Sequence, residues 1–190
     1  MNREFITIVS GLPRSGTSMM MSALVAGGIP ALTDNIRTAD EDNPKGYFEL
    51  EKVKELERDH AWLEDAKGKV VKIISALLKR LPDPYHYKII FMRRNMDEVL
   101  ASQRQMLIRR NEPTDKVSDE RMAEMFRKHI LDVEAWLEKQ PNMYVLYVSY
   151  NEMLDNPASS IEMIDSFLGG ALDKEKMTSA VDRNLHRQRR

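Results

Sequence analysis

The stretch Gly11-Leu-Pro-Arg-Ser-Gly-Thr-Ser18 sets two glycines five positions apart and follows them with two hydroxyl residues. A loop of this spacing between a strand and a helix turns backbone N–H groups inward. The helix start then adds the positive end of its dipole, a combination suited to phosphate or sulfate oxygens. Arg14 supplies a cation inside the loop. A plain Gly-rich turn would share the spacing. The apolar run Phe5–Val9 before it and the helix formers Thr17–Ala26 after it favour the anion-binding reading. Thr17 stands where a loop that binds magnesium nucleotides carries Lys. The third and fourth apolar runs lead into Arg93-Arg94 and Ser149-Tyr150 rather than into a metal-holding Asp. The expectation is a phosphate binder that does not use magnesium–ATP.

A second anion site is predicted at Arg93, Arg94 and Ser102. The run Tyr87–Met92 reads as a strand, so the two arginines fall at its C-terminal end, the edge where open parallel sheets bind ligands. Successive strand residues face opposite sides, so one of the two enters the pocket. Asn95-Met-Asp-Glu98 begins a helix with acidic residues in its first turn, and Ser102 follows Arg94 by eight residues. One anion can touch both Arg94 and Ser102 if the chain folds back over it. A surface arginine and a solvated helix serine are the alternative.

The elements around these motifs alternate. Strands are expected at Phe5–Val9, Val70–Ile74, Tyr87–Met92 and Met143–Val148. Helices are expected at Thr17–Ala26, Glu51–Asp65, 95–108, Asp119–Lys139, Ile161–Leu168 and Lys174–Val181, with a helical turn at Ser75–Leu81. Residues 29–49 form a long irregular stretch, and such a stretch in a compact domain is usually functional or mobile. Alternation of this kind implies an α/β fold: three layers, a parallel sheet of four to five strands, and helices on both faces. The 190 residues suit a single domain spanning 1–190. Charged residues make up 31% and nearly cancel, to a net charge of −1, which argues against a generally basic nucleic-acid binder. With no cysteine there is no disulfide framework, thiolate metal site or cysteine nucleophile, and a cytoplasmic protein without a membrane span is expected.

Taken together, the two motifs resemble the sulfotransferase family that uses 3′-phosphoadenosine 5′-phosphosulfate (PAPS) and releases adenosine 3′,5′-bisphosphate (PAP). Leu12-Pro-Arg-Ser-Gly-Thr-Ser18 is similar to the family's P-K/R-S-G-T-S/T loop, and Arg94-Asn-Met-Asp-Glu-Val-Leu-Ala-Ser102 to its R-N-P-x-D-x-x-x-S segment. Asn43-Pro-Lys-Gly-Tyr-Phe-Glu49 and Val181-Asp-Arg-Asn-Leu-His-Arg187 resemble further segments of bacterial-type members. The resemblance implies a P-loop sulfotransferase. Arg14 would neutralise the transferring sulfuryl group or the leaving phosphate. Ser15, Gly16, Thr17 and Ser18 would hold the 5′-phosphate, and Arg94 and Ser102 the 3′-phosphate. No metal is implied.

Cytosolic members carry a catalytic His near the second strand, and here Ile74 stands in its place while Lys72 is retained. An alkyl side chain takes no proton. Glu49 is therefore the candidate base and Lys72 a candidate helper, with Asp42 and His60 behind them. The acceptor implied is a hydroxyl or amine on a small molecule, glycan or lipid. The chain is shorter than typical members, so reduced acceptor-binding segments are expected. A P-loop kinase would call for Lys at position 17 and an acidic strand end. A non-catalytic nucleotide-binding module would be consistent with the missing His.

Overall fold

The structure is a computed structural model that describes residues 4–34, 36, 46, 48–114 and 116–182. Asp42, most of the Asn43–Glu49 motif and residues 183–187 of the C-terminal motif lie outside the described residues.

Among the described residues four strands form one parallel sheet: β1 (Phe5–Gly11), β2 (Val70–Lys72), β3 (His86–Arg93) and β4 (Met143–Ser149), in the order β2-β1-β3-β4. The register aligns Val9 with both Lys72 and Ile90, and Arg93 with Ser149. All four strands therefore end at the same edge. The strands alternate with period two. Ile6, Ile8, Val71, Ile89 and Phe91 enter one core, while Val9, Val70, Ile90, Met92 and Val148 enter the other. A strand buried on both faces reads as the near-continuous apolar run seen in sequence. Each fully buried Ile or Leu stabilises the fold by roughly 1.5–3 kcal/mol.

One face is covered by α1 (Thr17–Ala26), α5 (Tyr150–Asp155), α6 (Pro157–Leu168) and α7 (Lys174–Ala180), whose Met20, Leu24, Met153, Ile164 and Met177 share that core. The other face is covered by two 3-10 turns, Glu51–Glu55 and Ser75–Arg80, by α2 (Leu63–Ala66) and by α4 (Asp119–Leu137). Helix α3 (Met96–Arg109) starts just beyond β3. β1 is followed by a helix on one face, and β2 by a 3-10 turn on the other. The crevice beside β1 is thus the switch point at which such sheets bind ligands.

Three differences from the sequence reading concern local chemistry. The helix expected over Glu51–Asp65 is broken into the 3-10 turn and the short α2. The Asp59 carboxylate accepts from the Ala61 N–H at 2.9 Å, a local bond that competes with the helical ladder. Val53, Leu56 and Leu63 are buried nonetheless, so the apolar spacing marked the core while the helix failed. Helix α5 was absent from the sequence reading. It is capped by Ser149, whose hydroxyl accepts from the Glu152 N–H at 3.3 Å. Helix α6 begins earlier than expected, with Pro157 in its first turn.

Candidate active site

The loop after β1 is shaped by backbone conformations that few residues tolerate. Gly11 has φ 142° and Gly16 φ 97°, and Arg14 itself is left-handed at φ 70°. A Cβ on Gly11 would lie 2.7 Å from the Met92 carbonyl oxygen, and one on Gly16 would lie 2.3 Å from Cδ2 of Tyr150. The glycine spacing is thus required by the close approach of β3 and α5 as well as by backbone freedom. Ser15 is buried, and both its backbone N–H (3.2 Å) and its hydroxyl (2.7 Å) donate to the Leu12 carbonyl. Its hydroxyl closes the turn. Helix α1 opens at Gly16 without a side-chain cap, and its first ladder bond runs from the Met20 N–H to the Gly16 carbonyl. The N–H groups of Thr17, Ser18 and Met19 precede that ladder, as at any helix start.

The second motif folds onto this loop. Arg93 turns outward, pairing with Glu134 at 2.8 Å and stacking on Tyr147 with its guanidinium carbon 3.9 Å from the ring centre. Arg94 turns inward, with its side chain only 7% exposed. Its Nε donates to Glu98 at 2.8 Å, and its Nη1 donates to the backbone carbonyl of Arg14 at 3.0 Å. The guanidinium lies 4.3 Å from the ring centre of Tyr150, the same ring that packs against Gly16. Arg14 in turn donates from Nε to the Ser102 hydroxyl at 2.9 Å. Arg14, Arg94 and Ser102, up to 88 residues apart in the chain, thus form one cluster beside the phosphate loop.

Three members of this cluster were missed in sequence. Glu98 is buried, with its carboxylate held between Arg94 and the Asn151 amide, which donates at 3.0 Å. Its signal was present as a carboxylate four residues after Arg94, a spacing that pairs on a helix. Tyr150 and Asn151 carried no local signal. Burial pushes the Tyr150 phenol up, and Glu98 adds to the rise, while Arg94 and Arg14 pull it back. The phenol therefore stays protonated at neutral pH.

On the other side of β1, Lys72 ends β2 with its side chain 10% exposed, and its ammonium lies 3.6 Å from the Glu49 carboxylate. The two residues named from sequence as catalytic candidates are brought into contact. Phe48, just before Glu49, holds φ 52°. The Glu49 carbonyl is tied to the loop after α1, accepting from the Thr33 hydroxyl at 2.8 Å and from the Asp34 N–H at 3.3 Å. Ile74 is partly exposed. His60 is half-buried near the start of α2.

A glycine-framed loop, an uncapped helix start and inward-turned guanidinium groups stand together at the C-terminal edge of the parallel sheet in an α/β protein of the P-loop type. Sequence and structure comparisons give its family. Residues 6–185 match the sulfotransferase domain family, and the chain belongs to it. No curated protein matches in a direct sequence search. Among solved structures, mouse sulfotransferase SULT7A1 complexed with PAP superposes with a TM-score of 0.59 at 22% identity, covering 95% of this chain and 64% of the mouse chain. The sulfotransferase domain of the Synechococcus PCC 7002 olefin synthase superposes at 0.55 with 15% identity, over 96% and 78% of the two chains. Sulfotransferase STF9 from Mycobacterium avium superposes at 0.54 with 15% identity, over 100% and 70%. The chain spans less than two thirds of the mouse protein's length. Among the described residues no helix is long and apolar enough to cross a membrane.

Proposed function

We propose that the protein transfers a sulfuryl group from PAPS to a hydroxyl or amine of a small-molecule, glycan or lipid acceptor. The observation that carries this reading is the convergence of Arg14, Arg94 and Ser102 beside the loop, with Arg14 bonded to Ser102 at 2.9 Å. Two cations and a hydroxyl collected there suit a nucleotide with a second phosphate away from its 5′ end. The donor set fits such a group: a backbone cradle with no room for side chains at positions 11 and 16, and N–H groups at a helix start.

In this reading Gly16, Thr17 and Ser18 bind the 5′-phosphate through N–H groups and hydroxyls. Ser15 shapes the turn and offers its share from the same loop. Arg94 and Ser102 bind the 3′-phosphate, and Arg14 meets the negative charge that grows on the leaving phosphate. PAPS supplies an electrophilic sulfuryl group. The protein's own work is orientation and charge stabilisation, as in other group transfers of this kind. Glu49 takes the acceptor proton, and Lys72, in contact with it, holds the carboxylate in place and adds positive charge at the transfer point. No metal is assigned a role.

Calorimetry with PAP in chelator, against ATP with magnesium, tests the donor. Binding of PAP alone supports the reading, whereas binding of magnesium–ATP in preference would replace it with a kinase. Transfer of labelled sulfate from PAPS to a panel of phenols, alcohols, amines and glycans tests the chemistry. PAP binding without transfer to any of them would leave a nucleotide-binding module.

A further inference from the structure

Glu98 has a place in this site that the binding roles above do not use. It is a carboxylate buried to 2% side-chain exposure beside a cluster that should attract anions. Taken alone, a negative charge there opposes ligand binding. Its contacts show what it holds. One oxygen accepts from Arg94 Nε at 2.8 Å and the other from Asn151 Nδ2 at 3.0 Å. Arg94, fixed from below by Glu98 and from the side by the Tyr150 ring, places Nη1 3.0 Å from the Arg14 carbonyl. That carbonyl belongs to the residue whose left-handed backbone, φ 70°, turns the phosphate loop.

We propose that Glu98 is a positioning residue that couples the two anion subsites: it locks Arg94, and Arg94 in turn holds the phosphate loop in its binding shape. The proposal rests on the donor reading above. Arg94 then serves the 5′ side through its bond to the loop backbone, besides any contact with a 3′-phosphate. A planar guanidinium with several N–H donors can do both at once. Asn151, from the start of α5, completes the lock without belonging to either subsite. The chain of contacts Asn151–Glu98–Arg94–Arg14 crosses from α5 through α3 to the loop, so a change at Asn151 can reach the loop through Glu98.

The test uses two ligands and two variants, Glu98→Gln and Asn151→Ala. Glu98→Gln keeps the shape but turns an amide toward one of the two donors. Asn151→Ala removes only the outer bond and is the milder change. Affinities for PAP and for adenosine 5′-phosphate are measured by calorimetry, well below each variant's melting temperature, so that a merely structural loss does not register. Coupling predicts that both ligands weaken, adenosine 5′-phosphate by about tenfold in Glu98→Gln and about threefold in Asn151→Ala, and PAP by at least as much. Weakening of PAP alone would confine Arg94 to the 3′-phosphate and overturn the proposal, as would unchanged affinities. Hydrogen exchange at the amides of residues 11–18, measured without ligand, separates this proposal from the donor reading. If the unaltered protein binds neither nucleotide, the donor reading fails. Faster exchange in Asn151→Ala would still support the coupling, and unchanged exchange would refute it.

Discussion

The guanidinium of Arg94 donates to the backbone carbonyl of Arg14 at 3.0 Å, so the strand-end arginine is fastened to the phosphate loop itself. Replacing Arg94 by Ala removes that fastening and strands the buried Glu98 carboxylate. Breaking one half of a buried ion pair costs about 3–5 kcal/mol. The expected outcome is a clear fall in melting temperature, together with weaker binding of both PAP and adenosine 5′-phosphate. Denaturation and calorimetry on the same preparation check it. A variant of unaltered stability would mean that Arg94 is not structurally engaged in solution.

Ser102 behaves differently, because among the described residues its hydroxyl accepts from Arg14 Nε, at 2.9 Å, and is not tied to the buried ion pair. Ser102→Ala should leave stability nearly unchanged and weaken PAP by about two- to tenfold, the worth of one hydrogen bond of roughly 0.5–1.5 kcal/mol. Adenosine 5′-phosphate, which lacks the 3′ group, should bind as before. Equal loss for both ligands would move Ser102 out of the 3′ subsite.

Glu49→Gln preserves the shape of the side chain beside Lys72 and removes the proton acceptor. Turnover should fall by at least about 100-fold, the lower end of what a general base contributes. PAP affinity should stay within a few-fold. Steady-state rates with a fixed acceptor, paired with PAP titration, separate the two. Full turnover with lowered stability would make Glu49 an anchor for the loop after α1, to which its carbonyl is already bonded.

Gly16→Ala should be the most damaging single-methyl change in the loop. The new Cβ would sit 2.3 Å from the Tyr150 ring at a backbone φ of 97°. Gly28→Ala serves as its control, with φ 104° but nothing within 4 Å of the added atom. Gly28→Ala should cost only the backbone strain of about 1–2 kcal/mol. Gly16→Ala should cost more than that and abolish PAP binding. Similar melting temperatures for the two would show that Tyr150 yields readily.

His129 offers a pH test of the face covered by α4. Its ring nitrogen lies 2.9 Å from the buried Ser75 hydroxyl. Burial pushes its pKa below the usual 6.5, Lys79 adds to the fall, and Asp132 opposes it. The unfolded chain then binds the proton more readily than the folded one. Stability from this group is present above pH 6.5 and is lost as the pH drops from there toward the lower folded value. His129→Gln, able to keep a bond to Ser75, should flatten the stability profile between neutral and mildly acidic pH. An unchanged profile would assign the acid sensitivity to other groups.

Much of this arrangement is legible in the chain itself. Continuous apolar runs wrote the strands, because both sheet faces are buried. The glycine spacing wrote the phosphate loop, because only glycine fits φ 97° against an aromatic ring. Arg14, Arg94 and Ser102 were readable as a pair of motifs. Lys72 and Glu49 were readable only as separate candidates: 22 residues lie between them, and no local rule sets their 3.6 Å contact. The loop after α1 decides that contact: Ala31 bridges Val70 of β2, and Thr33 and Asp34 bond the Glu49 carbonyl, which sets Glu49 beside Lys72. The parallel sheet decided which arginine turns inward. Arg93 shares the face of Phe91 and meets α4, whereas Arg94 lies past the strand end and drops onto Tyr150 and Glu98. Tyr150 and Asn151 took their roles from β4 lying next to β3, and a sequence specifies that adjacency only through the packing of the whole sheet. Local spacing fixes which groups a segment can offer; long-range packing fixes which of them face each other.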